Sequence, residues 1–229
     1  MTIEQRVPLT RLFGGQDGQR HAPESREAEM PSWTPWTVTH VVTTADRRFG
    51  PYLDDMNDLL DRAERNEWIL KPGLKPVGSA DEIRAALRDC ASYELCIIDL
   101  PGAVDETGGA WLGVHPDGDF VDLVELASGT WNAAAVVLTN CHGSRDAFWE
   151  QLRRINARPF TAVGHFDAAG MDDHTPVGAV TAILNQADGG DEYRAFGAAW
   201  TFLGPDVTRP CRSWAVELLT PATASAHCP

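Results

Sequence analysis

Short apolar runs of strand length alternate with stretches of helical period, and that alternation constrains the fold more than any other feature of the chain. Thr37 to Thr43 (TVTHVVT) is rich in β-branched residues, and Leu95 to Asp99 (LCIID), Ala133 to Leu138, Phe160 to Val163 and Ser213 to Leu219 (SWAVELL) are further runs short enough for buried strands. Between them, Leu53, Met56, Leu60 and Ala63 share one helical face, with Asp54, Asp55 and Asp58 placed near the expected helix start. Ser79 to Glu82 (SADE) reads as a capping box opening a helix whose apolar face is Ile83, Ala86, Leu87 and Cys90. Ser144 can cap a helix that buries Phe148, Trp149, Leu152 and Ile155, and Val177 to Leu184 is a further helix. The stretch GGAWLGVHPDGDFVDLVELA reads as a β-ribbon, Trp111 to Val114 and Phe120 to Leu123, around a Pro116-Asp117-Gly118 turn, running into a short helix. Strands that alternate with helices imply a mostly parallel sheet covered on both faces. In such sheets chemistry sits at the carboxyl ends of strands.

Composition narrows the partners. The 229 residues carry a formal charge of −14, which repels a nucleic-acid backbone or an anionic membrane surface. Residues 1–33 are charged, Gly- and Pro-rich and without an apolar period, so a disordered tail is expected there, followed by a single α/β domain over 34–229. Trp33 and Trp36 stand at the junction, able to anchor on the domain's own surface or on a partner. Trp111, Trp131, Trp149, Trp200 and Trp214 lie in apolar contexts where core packing is the default. Five unevenly spaced cysteines (Cys90, Cys96, Cys141, Cys211, Cys228) indicate neither a disulfide framework nor a CxxC metal site. With no signal-peptide pattern and no apolar run near 18 residues, a cytoplasmic protein is expected. Lysine occurs only at positions 71 and 75 against abundant arginine, alanine and glycine, which suggests a GC-rich bacterial source.

The run VVLTNCHGS stops at a cysteine, a histidine and a glycine. A cysteine between a buried strand and a helix N-terminus sits where a thiolate is favoured, so Cys141 is a candidate nucleophile; a small inert thiol is the alternative. His142 is its neighbour, yet adjacent side chains on extended backbone point to opposite faces. His165, just past the fourth strand, and His115 in the ribbon turn are the other histidines considered as a base. GHFDAAGMDDHTP holds His165, Asp167, Asp172, Asp173 and His174, competent metal ligands by type but without a ligand spacing, so no metal is expected. The acidic run DDMNDLLD lacks a calcium-loop pattern, and no phosphate-binding glycine loop is present, so no cofactor is expected either.

The order of strand (Leu95 to Asp99), Gly-rich turn, WLGVHPDGDFVDLVELA, AAAVVLTNCHGS, helix and ARPFTAVGHFD resembles the caspase-like fold of the CHAT peptidases of clan CD, over roughly Val38 to Leu184. The resemblance implies a three-layer caspase-like sandwich with a mostly parallel sheet and a β-ribbon insertion. It sets Cys141 on the family's nucleophile position and Gly143 in the small-residue stretch after it. Where the family has His-Gly, this chain reads IIDLPGA, with Pro101 at the histidine position and Gly102 at the glycine. Proline can neither take a proton from a thiol nor orient one.

Three function classes follow. The first is a catalytically degenerate CHAT-like protein that serves as a binding or regulatory module for a protein or peptide partner. The second is an active cysteine peptidase, with Cys141 as nucleophile, a relocated histidine (His165 or His142) as base, and backbone N–H groups near Gly102 and Cys141 as the oxyanion hole. The third is a flavodoxin-like small-ligand module with a site around Gly102, Cys141 and Gly164. Nothing in the residues sets the oligomeric state.

Overall fold

The computed structural model describes residues 33–44, 50–70, 72–140, 146–165, 174–203 and 214–222. Expectations for residues 1–32, for Ser144 as a cap and for Asp167, Asp172 and Asp173 as ligands lie outside them. The chain divides between Trp33 and Thr34, and the unit from Thr34 onward carries every element below.

The strand-length runs form strands β1 (Val38–Thr43), β3 (Leu95–Asp99), β7 (Ala135–Leu138), β8 (Phe160–His165) and β9 (Trp214–Leu219). They join β2 (Gly73–Val77) in one six-stranded sheet of order β2-β1-β3-β7-β8-β9. The pairs β1–β2, β1–β3, β3–β7 and β7–β8 are parallel, while β9 runs antiparallel to β8 at the edge. The sheet is therefore mostly parallel, as expected, and the four strands β1, β3, β7 and β8 are consecutive neighbours. Leu95 to Asp99 and Val38 to Thr43 are buried at every position, the mark of a strand covered on both faces.

Helices α1 (Gly50–Arg65), α4 (Thr175–Gln186) and α5 (Glu192–Leu203) cover one face; α2 (Ala80–Asp89) and α3 (Asp146–Ile155) cover the other. Alternation along the strands feeds two apolar layers. Val38, Leu95, Ile97, Val137 and Val163 pack with Tyr52, Met56 and Leu59 of α1 and with Val180 and Ile183 of α4. Val41, Cys96, Ile98, Val136 and Leu138 pack with Ile83 and Leu87 of α2 and with Phe148 and Leu152 of α3. Each fully buried Phe, Leu or Ile side chain contributes about 1.5–3 kcal/mol by removal from water. The box at Ser79 is formed: its hydroxyl accepts from Glu82 N–H at 3.3 Å, and the Glu82 carboxylate accepts from Gly78 N–H at 2.6 Å.

Several expectations need correction. Helix α1 starts at Gly50, a turn earlier than its aspartates suggest, and its first turn holds no acidic residue. Its buried face begins at Tyr52, so Asp54, Asp55 and Asp58 lie on exposed surface further along. The ribbon gains a third strand: β4 (Gly102–Val104) pairs with β5 (Ala110–Gly113), which pairs with β6 (Phe120–Asp122), all antiparallel. The helix expected after it is a single 3₁₀ turn, Leu123–Glu125. Trp200 is 47% exposed rather than in the core, because it lies on the outer face of α5 and stacks on Phe196. Trp36, by contrast, is fully buried and donates its indole N–H to Ala187 C=O at 3.0 Å. Among the described residues no helix is long and apolar enough to cross a membrane.

Candidate functional site

The route of the chain decides where a site can form. From β1 it passes through α1 to β2 at one edge, then returns through α2 on the opposite face to β3, on the other side of β1. The strand order reverses between β1 and β3, the point at which a parallel α/β sheet places a site above its carboxyl ends.

The buried residues here include a polar group. His40 of β1, Asp99 at the end of β3 and Thr139 just past β7 all face the α1 side of the sheet and are 0%, 0% and 7% exposed. One Asp99 carboxylate oxygen meets His40 Nε2, while the other accepts from the Thr139 hydroxyl and from the Tyr52 hydroxyl of α1, the latter at 3.1 Å. Thr139 Oγ1 also lies 3.2 Å from Ile98 C=O. One buried carboxyl group thus gathers bonds from β1, α1 and the β7 end, which satisfies polar atoms that would be costly to leave unpaired.

The ribbon follows β3 directly. Leu100 and Pro101 are buried, and Pro101 C=O accepts from Gly113 N–H at 2.8 Å. Gly102 then pairs with Leu112. The Thr43 hydroxyl at the end of β1 donates to Val114 C=O. Pro101 is the corner at which the sheet turns into the ribbon, and a proline suits it because its fixed φ stiffens the turn.

The residues singled out from sequence fall as follows. Cys141, His142 and Gly143 lie outside the described residues; the chain is described up to Asn140, one residue before Cys141. His165 closes β8, is 3% exposed, pairs in register with Trp214 of β9 and meets its indole edge-on at 4.9 Å. It shares the sheet face of Asp99 and Thr139 but is itself a packed residue. His115 stands in the ribbon turn, half-buried, and its Nδ1 accepts from Asp117 N–H at 3.2 Å. His174 pairs with Asp55 at 2.8 Å, both on the surface. Among the described residues no three histidine, cysteine or acidic side chains stand close enough to hold a metal ion. Cys90 and Cys96 are free and buried, and contact with the Cys90 thiol, then burial, pushes the Cys96 thiol well above its usual range.

Sequence reading missed His40, Tyr52 and the role of Asp99. A signal was available: a histidine within an apolar strand, and an aspartate ending another, each demand a partner once buried. That they partner each other depends on β1 and β3 being neighbours, which neither segment states alone.

A comparison with protein-family models gives no match, and a search of curated proteins gives none. Among solved structures, the chain is similar to a secreted C11 cysteine protease from Bacteroides thetaiotaomicron, "iotapain", with 13% identity, a TM-score of 0.47, and coverage of 80% of this chain and 66% of that one. The architecture above rests on the strand order and pairing, and this likeness adds no residue assignment to it.

Proposed function

We propose that the protein is a catalytically degenerate, CHAT-like caspase-fold module of a bacterial cytoplasm that binds or regulates a protein or peptide partner through the surface at the strand ends and the ribbon. The observation that supports this most is the Pro101 corner. The position that the family resemblance gives to a histidine holds a buried residue with no ionisable group, and its carbonyl is committed to Gly113. Proline itself cannot draw a proton from a thiol, and such proton transfer is worth roughly 10² to 10⁴ in rate. His165, the histidine considered as a relocated base, is buried at the end of β8 and meets the Trp214 indole of β9 edge-on. The ribbon, joined to the sheet through Pro101 and Thr43, offers a surface for a partner that requires no chemistry.

The test is incubation of the purified full-length chain with a diverse peptide library, followed by mass spectrometry. The expected outcome is no cleavage, identical to that of Cys141→Ala. Cleavage by the unmodified chain that Cys141→Ala abolishes would overturn the degenerate reading in favour of an active cysteine peptidase.

A further inference from the structure

Asp99 is the one buried carboxylate among the described residues, and no lysine or arginine among them bonds to it. Its donors come instead from His40 in the middle of β1, Tyr52 in the first turn of α1 and Thr139 immediately after β7. The surrounding layer on this face is apolar: Val38, Met56, Val137 and Val163 are all buried there. Apolar contact is non-directional and tolerates sliding. A carboxylate accepts along defined lone-pair directions, so its position sets the position of every donor it holds. Three donors from three elements, on the two oxygens of one fixed group, define a frame. The segments so framed come together at the carboxyl end of the sheet: α1 follows β1 in the chain, β3 leads into Pro101 and Gly102, and Thr139 lies two residues before Cys141.

We propose that Asp99 is a positioning residue, a buried pin that holds the middle of β1, the β3 and β7 ends and the first turn of α1 in fixed relation. The functional meaning rests on the reading of the strand ends and the ribbon as the contact site. The mechanical claim stands on the described residues alone. Removal of one donor frees the element that supplied it and leaves the others pinned, whereas loss of the carboxylate frees all of them together.

Hydrogen–deuterium exchange on the full-length chain, read peptide by peptide, tests this with three variants. Asp99→Asn keeps the size but turns one acceptor oxygen into an N–H₂ donor facing donors. It is expected to raise exchange about tenfold in β1 around His40, in the first turn of α1, in Asp99 to Val104 and around Thr139, with α2, α3 and the β5–β6 hairpin unchanged. Tyr52→Phe is expected to loosen the first turn of α1 alone, and Thr139→Val the end of β7 alone. A uniform rise across the protein in all variants, or no local change in any, overturns the proposal. Should Asp99→Asn fail to fold, the two donor variants decide the matter. Because the readout needs no ligand, peptide cleavage by the unmodified protein would sink the contact-surface reading and leave this result untouched.

Discussion

Two carboxylates of this protein each collect several hydrogen bonds, and they do opposite work. Asp105, in the loop between β4 and β5, accepts from Thr107 N–H at 2.8 Å, the Thr107 hydroxyl at 2.7 Å, Gly109 N–H at 2.8 Å and the Trp111 indole at 2.9 Å. Every donor lies within six residues of it, and the group is exposed. Asp99 is buried, and its donors lie 59, 47 and 40 residues away. The loop carboxylate shapes a turn that its own neighbours already favour. The core carboxylate joins elements that only the finished fold brings together. Similar bond counts therefore carry different consequences: loss of the first relaxes a loop in water, while loss of the second strands donors where water cannot replace them.

The largest expected effect follows from that asymmetry. Asp99→Ala leaves the His40, Tyr52 and Thr139 donors without an acceptor in the interior. Equilibrium urea denaturation should show a loss of about 3 kcal/mol or more, enough to threaten folding. A loss no larger than that of Asp105→Ala would erase the distinction between the two sites.

An intermediate effect is expected where the two regions meet. Thr43→Val keeps the β-branched shape within β1 but removes the hydroxyl that holds Val114 of the ribbon. A cost of about 1 kcal/mol in the same assay is expected, as for one ordinary buried hydrogen bond.

The smallest effect belongs to Asp105, and pH reveals it. Its bond from the Thr107 hydroxyl, reinforced by Gly109 N–H and the Trp111 indole, holds the carboxyl down at about 2, against 3.8 for an unperturbed aspartate. A folded pKa below the unfolded one means stability that is present above about pH 4 and lost as pH falls through about 2. Asp105→Asn lacks this titration. Its melting temperature should sit slightly below that of the unmodified protein near pH 6, and the gap should close between pH 4 and pH 2. A gap that stays constant over that range would mean that the loop does not favour the ionised form.

What was legible from sequence was local. The SADE box, the 3.6-residue apolar period of α2 and α3, the β-branched core strands and the ribbon turn depend on residues a few positions apart, and each forms where the pattern places it. An α/β order alone also leads one to expect a site at the carboxyl ends of the strands, where the buried Asp99 group lies. Other elements became strand or helix only through their neighbours. β2 (GLKPV) carries a glycine and a proline that suppress any strand signal, and it is tolerated as a strand because it lies at an edge, where β1 supplies its register. Helix α5, with Ala195, Ala198 and Ala199 as its buried face, has too weak an apolar stripe to announce itself and owes its place to packing on α4 and β9. The reversed direction of β9 and the meeting of His40 with Asp99 also belong to tertiary structure. Sequence by itself determined the elements whose free energy comes from neighbours along the chain, together with the residue types available to be buried. Which strand lies beside which, and so which buried polar groups satisfy one another, was decided only when distant segments closed on a common core, because a hydrogen bond across strands has no periodicity along the chain to betray it.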